Sequence, residues 1–148
     1  MSESFTPHRC TLKVRGFHLD FYGHVNNARY LEFLEEARWS FADDYGYWEP
    51  VQRSGLDFAI VNINIDYRRA AKLHDSLSIE TAMQALKRRN AVMRQRIYAA
   101  DTQRLVAEAT ITFVLVSREH GHVVSIVDPI KACFESLPTW PQAKPDNP

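Results

Sequence analysis

The residues able to do chemistry crowd into one stretch, His18-Leu19-Asp20-Phe21-Tyr22-Gly23-His24-Val25-Asn26-Asn27. A carboxylate, two imidazoles, a glycine and two amides stand directly before an amphipathic run, Ala28 to Asp44. A helix N-terminus offers unpaired N–H groups with partial positive charge, which can stabilise an oxyanion. A carboxylate beside it can attack a carbonyl or activate a water. Together these groups suit acyl transfer. The competing reading is structural: Asp20 closes a turn and the asparagines cap the helix. Gly23 lets the loop bend tightly in either case.

The elements around this stretch must hold it. Tyr30, Leu34, Ala37 and Phe41 recur at helical spacing, with Leu31 and Phe33 widening the apolar stripe. The pattern predicts one long, centrally buried helix with Asn26 or Asn27 at its start. Glu35 and Arg38 stand three apart on its polar side and can pair. Thr11 to Phe17 alternates as a strand, and Tyr45 to Gly55 reads as a short helix or packed loop. Asp57–Arg68, Ser76–Leu86, Ala91–Ala99 and Arg104–Arg118 then alternate as four further strands. The first of them sets Ala59, Val61, Ile63, Ile65 and Tyr67 against Phe58, Ile60, Asn62 and Asn64. Val123 to Val127 suits a last short strand, and Asp128-Pro129 opens a short helix. Residues 1–137 read as one domain. Residues 138–148 hold four prolines and read as a flexible tail.

Strands segregated from one long apolar helix imply an α+β fold, an antiparallel sheet folded around that helix. Such a sheet has edges to cover, which predicts a homodimer or homotetramer.

Composition removes several function classes. Eighteen cationic side chains balance eighteen anionic ones, so nothing global drives binding to nucleic acid or an anionic membrane. Cys10 and Cys133 lie in no metal-ligand spacing and read as reduced thiols. The first residues lack the apolar core of a signal peptide, so the expected location is the cytoplasm. His120 and His122 bracket Gly121, but no third ligand stands at a metal-binding spacing.

The pattern Asp20-x-x-Gly23-His24-Val25-Asn26-Asn27-x-x-Tyr30-x-x-Phe33-x-Glu35-x-x-Arg38 resembles the signature of the hotdog-fold acyl-CoA thioesterases of the 4-hydroxybenzoyl-CoA thioesterase type. Val14 to Asp20, Val61 to Ile65 with Tyr67-Arg68-Arg69, and Ala109 to Val114 extend the likeness toward its bacterial long-chain branch. The resemblance implies a hotdog fold and hydrolysis of an acyl-CoA, a long-chain fatty acyl-CoA by the likeness to that branch, with no metal or organic cofactor. It implies Asp20 as nucleophile or general base, the Asn27 N–H as oxyanion donor, and a role for His24 that is either catalytic or loop-orienting. Gly23 stands where long-chain members can carry a larger residue. Substrate contacts are expected from Tyr22, Gly23, Tyr30, Asn62, Arg68 and Arg69, and the candidates for holding coenzyme A phosphates are Arg68, Arg69, Lys87, Arg88 and Arg89, which could equally be solvated charges. Tyr30, Phe33, Leu34 and Trp48 or Phe58 are candidates for an acyl tunnel. A non-catalytic acyl-CoA-binding module is the alternative. A hotdog dehydratase would want a histidine where this chain has Asp20.

Overall fold

A computed structural model of the chain describes residues 5–142. Its antiparallel strands are β1 (His8–Lys13), β2 (Leu56–Tyr67), β3 (Ser76–Leu86), β4 (Ala91–Ala99), β5 (Leu105–Ser117) and the short β6 (Val123–Val124). The helices are α1 (Asn27–Tyr45), α2 (Trp48–Arg53) and α3 (Ile130–Glu135). Spatial order is β1-β3-β4-β5-β2, with β6 paired to β5. This is the α+β hotdog arrangement, with one long helix laid against the antiparallel sheet.

Helix α1 starts where the asparagines put it. The Asn26 side chain accepts from the Ala28 N–H at 2.9 Å, replacing a partner that the first turn lacks. Gly46 ends the helix in the left-handed region, where its N–H donates to Ala42 O. Tyr30, Phe33, Leu34, Ala37 and Phe41 are buried against the sheet. The first four meet Leu77 and Ile79 of β3, Ile97 of β4, and Ala109 and Ile111 of β5, while Phe41 joins a second cluster with Met83, Met93, Phe113 and Leu115. The opposite helix face stays open, and Leu31 and Trp39 are exposed. The helix is therefore packed on one side rather than enclosed.

Several expectations need correction. The first strand runs His8–Lys13, and the chain then enters a short 3-10 turn, Gly16–His18. Strand β2 does not alternate strictly. A bulge between Ile60 and Asn62 places one extra residue against β5 and exchanges the faces. Phe58 therefore packs into the core before the bulge, and Ile63 and Ile65 do so after it. Arg38 does not pair with Glu35. It reaches across to Oε1 of Gln95, a fully buried amide that also donates to Leu34 O and Thr81 Oγ1. Burial favours loss of the Arg38 proton and lowers its pKa.

The predicted tail does not begin at Pro138. Residues 138–140 lie along the edge of β3 beyond the end of β1. Met83 N–H donates to Pro138 O, and Trp140 N–H donates to Met83 O, each at 2.8 Å. The Trp140 indole donates to Arg94 O at 2.9 Å, with the Arg96 guanidinium over its ring. Residues 143–148 lie outside the described part of the chain. Cys10 and Cys133 are unbridged. Among the described residues, no helix is long and apolar enough to cross a membrane, and no cluster of three His, Cys, Asp or Glu could hold a metal ion.

Candidate active site

The loop before α1 is a tight hairpin. Leu19 and Val25 form an antiparallel bridge, Asp20 N–H donates to His24 O, and Gly23 N–H returns to Asp20 O. Gly23 has φ of +77°, a conformation that a side chain disfavours. Its role is the turn itself. The Asp20 carboxylate sits inside this turn. Its Oδ1 accepts from Tyr22 N–H at 2.8 Å and His24 N–H at 3.2 Å. Oδ2 has no hydrogen-bond partner among the described residues.

The hairpin is tied to the segment that follows β2. Val25 N–H donates to Ala71 O, and His24 bridges Lys72. Ala71 N–H donates to the Tyr30 hydroxyl, and the Tyr67 hydroxyl donates to Asn27 O at 2.9 Å. The two tyrosine rings meet edge to face. Residues 67–72 thus hold both the acid loop and the first turn of α1. Burial raises the Tyr30 hydroxyl pKa, so the group stays protonated.

A cleft of about 310 Å³ opens between these parts. Asp20, His24, Asn27 and Tyr30 line it on the helix side, and Tyr67, Arg68 and Arg69 on the other. Capping uses the Ala28 N–H, and the Arg29 N–H bonds Asn26 O. The Asn27 N–H has no acceptor among the described residues. A free carboxylate oxygen and a free helix-terminal donor therefore share one cleft. That pair can attack a thioester carbonyl and hold the charge that develops on its oxygen. Arg68 and Arg69 put cations at the mouth; Arg68 lies loosely beside Asp66 at 3.9 Å.

Not every predicted contact reaches the cleft within one chain. The Tyr22 side chain points into solvent, 80% exposed, and only its N–H serves Asp20. Asn62 lies mid-way along β2 opposite Thr112, away from the cleft walls. His24 contributes its backbone to the loop and is among the residues lining the cleft, and its ring makes no hydrogen bond among the described residues. His18 is structural: its Nδ1 accepts from Arg15 N–H, and its ring packs on Phe33. Desolvation there lowers its pKa below the ordinary value of 6.5. Tyr67 is the contributor to which the sequence, through its strand pattern and its place in the family likeness, assigned no role at the site. Its signal was an aromatic ending a long strand, directly before Arg68-Arg69.

A second cavity, about 420 Å³, lies between α1, α2 and β2. Trp39, Trp48, Phe58, Ile60 and Met93 form most of its apolar wall, with Glu35 and Arg38 at its side. Two of the proposed tunnel residues, Trp48 and Phe58, are here. Phe33 and Leu34 are instead buried in the core.

Comparison with known proteins decides the family. The family model of the thioesterase-like superfamily matches residues 14–134. The chain belongs to this superfamily. It is 40% identical over 126 residues to the long-chain acyl-CoA thioesterase FadM of Escherichia coli strain K12, covering 85% of this chain and 96% of FadM. The acyl-CoA thioesterase YbgC of Haemophilus influenzae is 29% identical over 120 residues, covering 80% and 87%. Among solved structures, the probable thioesterase YbaW of Escherichia coli superposes with a TM-score of 0.82 at 39% identity, covering 86% of this chain and 96% of that one. This superfamily member is thus a hotdog thioesterase.

Proposed function

We propose that this enzyme hydrolyses long-chain fatty acyl-CoA to free acid and coenzyme A, with Asp20 as nucleophile or general base and the Asn27 N–H as oxyanion donor. An acyl-CoA thioesterase activity follows from the family and from the identity to FadM along nearly its whole length. The observation that carries the mechanism is the shared cleft, where Asp20 Oδ2 and the Asn27 N–H are both unpaired among the described residues.

The thioester carbonyl sits between these groups. Its oxygen takes the Asn27 N–H, and negative charge develops beside the positive end of α1. Asp20 Oδ2 then attacks the carbonyl carbon, or it removes a proton from the water that does. The thiolate of coenzyme A leaves as the carbonyl re-forms. Where Asp20 attacks, it is left as a mixed anhydride that water then hydrolyses to the free acid; where it activates water, the proton it took passes to the departing thiolate. Tyr22 and His24 N–H groups hold the other carboxylate oxygen, so the acid is aimed before substrate arrives. His24 orients the loop. Arg68 and Arg69 suit the substrate's phosphates, which need cations at the surface.

The aromatic cavity suits the fatty chain. Strand β2 forms an open sheet edge, with Ile60 and Val61 exposed. An edge this long and apolar invites a second copy. Two-fold antiparallel pairing about Val61–Asn62 would set Asn62 at the seam. It would also bring the cavity of one copy beside the Tyr67 end of its partner. This reading calls for a homodimer, alone or within a tetramer.

The test is free-thiol release from a series of acyl-CoAs from acetyl to stearoyl, with benzoyl-CoA included. Rising kcat/KM with chain length is expected. Highest efficiency on acetyl- or benzoyl-CoA would overturn the long-chain assignment. Binding of palmitoyl-CoA without thiol release would favour the non-catalytic module.

A further inference from the structure

We infer that Tyr67 is a positioning residue for the oxyanion donor, acting through Asn27 rather than on the substrate's reacting atoms. The inference rests on the acyl-CoA thioesterase reading above.

The donor is a backbone N–H, so its direction depends on how its residue is held. Asn27 opens α1, where no preceding turn restrains it. The Asn26 cap takes the next amide, Ala28, and leaves Asn27 free at its own nitrogen. Among the described residues, the one side-chain hydrogen bond to Asn27 is from the Tyr67 hydroxyl to its carbonyl oxygen, at 2.9 Å and 40 residues away in sequence. That bond holds the Asn27–Ala28 peptide, while the neighbouring peptide that carries the Asn27 N–H is held by Arg29 N–H on Asn26 O. Tyr67 therefore fixes the first turn of α1 as a unit against the end of β2, and with it where the Asn27 N–H points.

Tyr67 is itself well placed to act as a fixed post. It ends β2, where its Cα stands opposite Ala107 of β5. Its ring packs edge to face on Tyr30, centroids 5.4 Å apart. Tyr30 is buried, and its hydroxyl is engaged by Ala71 N–H. The next two residues, Arg68 and Arg69, both donate their N–H groups to Val106 O. The post is thus anchored in the sheet, while its hydroxyl reaches the helix terminus. The acid loop hangs on the same segment through Ala71 and Lys72. One short stretch after β2 therefore sets the donor relative to the acid. Removing a whole oxyanion donor costs roughly 10²–10³ in kcat, so loosening one should cost less, about tenfold.

The experiment compares wild type with Tyr67→Phe, which deletes only the hydroxyl. With palmitoyl-CoA, kcat should fall about tenfold while KM stays nearly constant. Binding of a trifluoromethyl-ketone analogue of palmitoyl-CoA, whose adduct carries an oxyanion, should weaken by a similar factor. Binding of the palmityl-CoA thioether, which has no carbonyl, should not change. The NMR order parameter of the Asn27 amide should fall in the variant, a readout independent of turnover. Unchanged kcat, equal weakening of both analogues, or an unchanged Asn27 order parameter would overturn the role. If wild type itself released no thiol, as Asp20→Ala is expected to do, the functional reading would fall and this role with it.

Discussion

Replacing Asp20 by asparagine separates a catalytic acid from a turn-closing residue. An asparagine oxygen at the same position can still accept from Tyr22 and His24 N–H, so the hairpin keeps its geometry. What is lost is the charge and the reactive second oxygen. Two charge-assisted bonds become neutral ones, a change of roughly 1 kcal/mol each, so stability falls by about 2 kcal/mol at most. In a domain of this size that moves Tm by roughly 4–8 °C. Loss of a positioned acid or base lowers the rate by about 10²–10⁴, or roughly 3–5.5 kcal/mol in the barrier. The catalytic effect therefore exceeds the structural one. Asp20→Ala also removes the acceptor, so it should lose turnover together with more of the Tm. The assay is kcat on palmitoyl-CoA beside a thermal melt for each variant. Wild-type kcat in a folded Asp20→Asn enzyme would refute the reasoning and leave Asp20 as a turn residue only.

Other parts of the structure make separable predictions. Trp140→Ala should cost about 2 kcal/mol, less than the roughly 3–5 for a fully buried tryptophan, and lower Tm without changing kcat; an unchanged Tm would show that residues 138–140 do not brace the sheet. The folded protein resists protonating His18, whose pKa is lowered mainly by burial, whereas the unfolded chain takes the proton near 6.5. Stability from this site is present above that value and fades as pH drops toward the lower folded pKa. The Tm of wild type should thus fall more than that of His18→Asn between about pH 7 and about pH 5.5; parallel curves would rule the group out. Val61→Lys puts a charge on the exposed edge of β2. Sedimentation should show the variant as a smaller species than wild type, and equal masses would argue against pairing through that edge.

Much of this architecture was legible because its periods are clean. Strands β3 and β4 run over Ser76–Leu86 and Ala91–Ala99, as alternation predicts, and α1 starts one residue before the apolar run. Gln95 shows where pattern reading stops. It stands on the apolar side of β4, and only the folded chain reveals Arg38, Leu34 and Thr81 around its amide. The β2 bulge was hidden because apolar residues occupy both parities there, so either face could have been the inner one. The strap at residues 138–140 was hidden because proline-rich composition argues for extension, and an extended segment is what an open strand edge can accept. At the site, the acid loop was visible as local sequence. Tyr67 was not, because its partner Asn27 is distant along the chain and is engaged through a backbone oxygen.

The strap also brings the two described ends of the chain together. Phe5 lies against Trp140, ring centroids 4.9 Å apart, beside the β3 edge that β1 and the strap share. Ends this close make circular permutation practical. A flexible linker could join them, and new termini could be opened at the exposed turn 101–103, between β4 and β5. Such a permutant would keep the acid hairpin, α1 and the segment after β2 in one uninterrupted run.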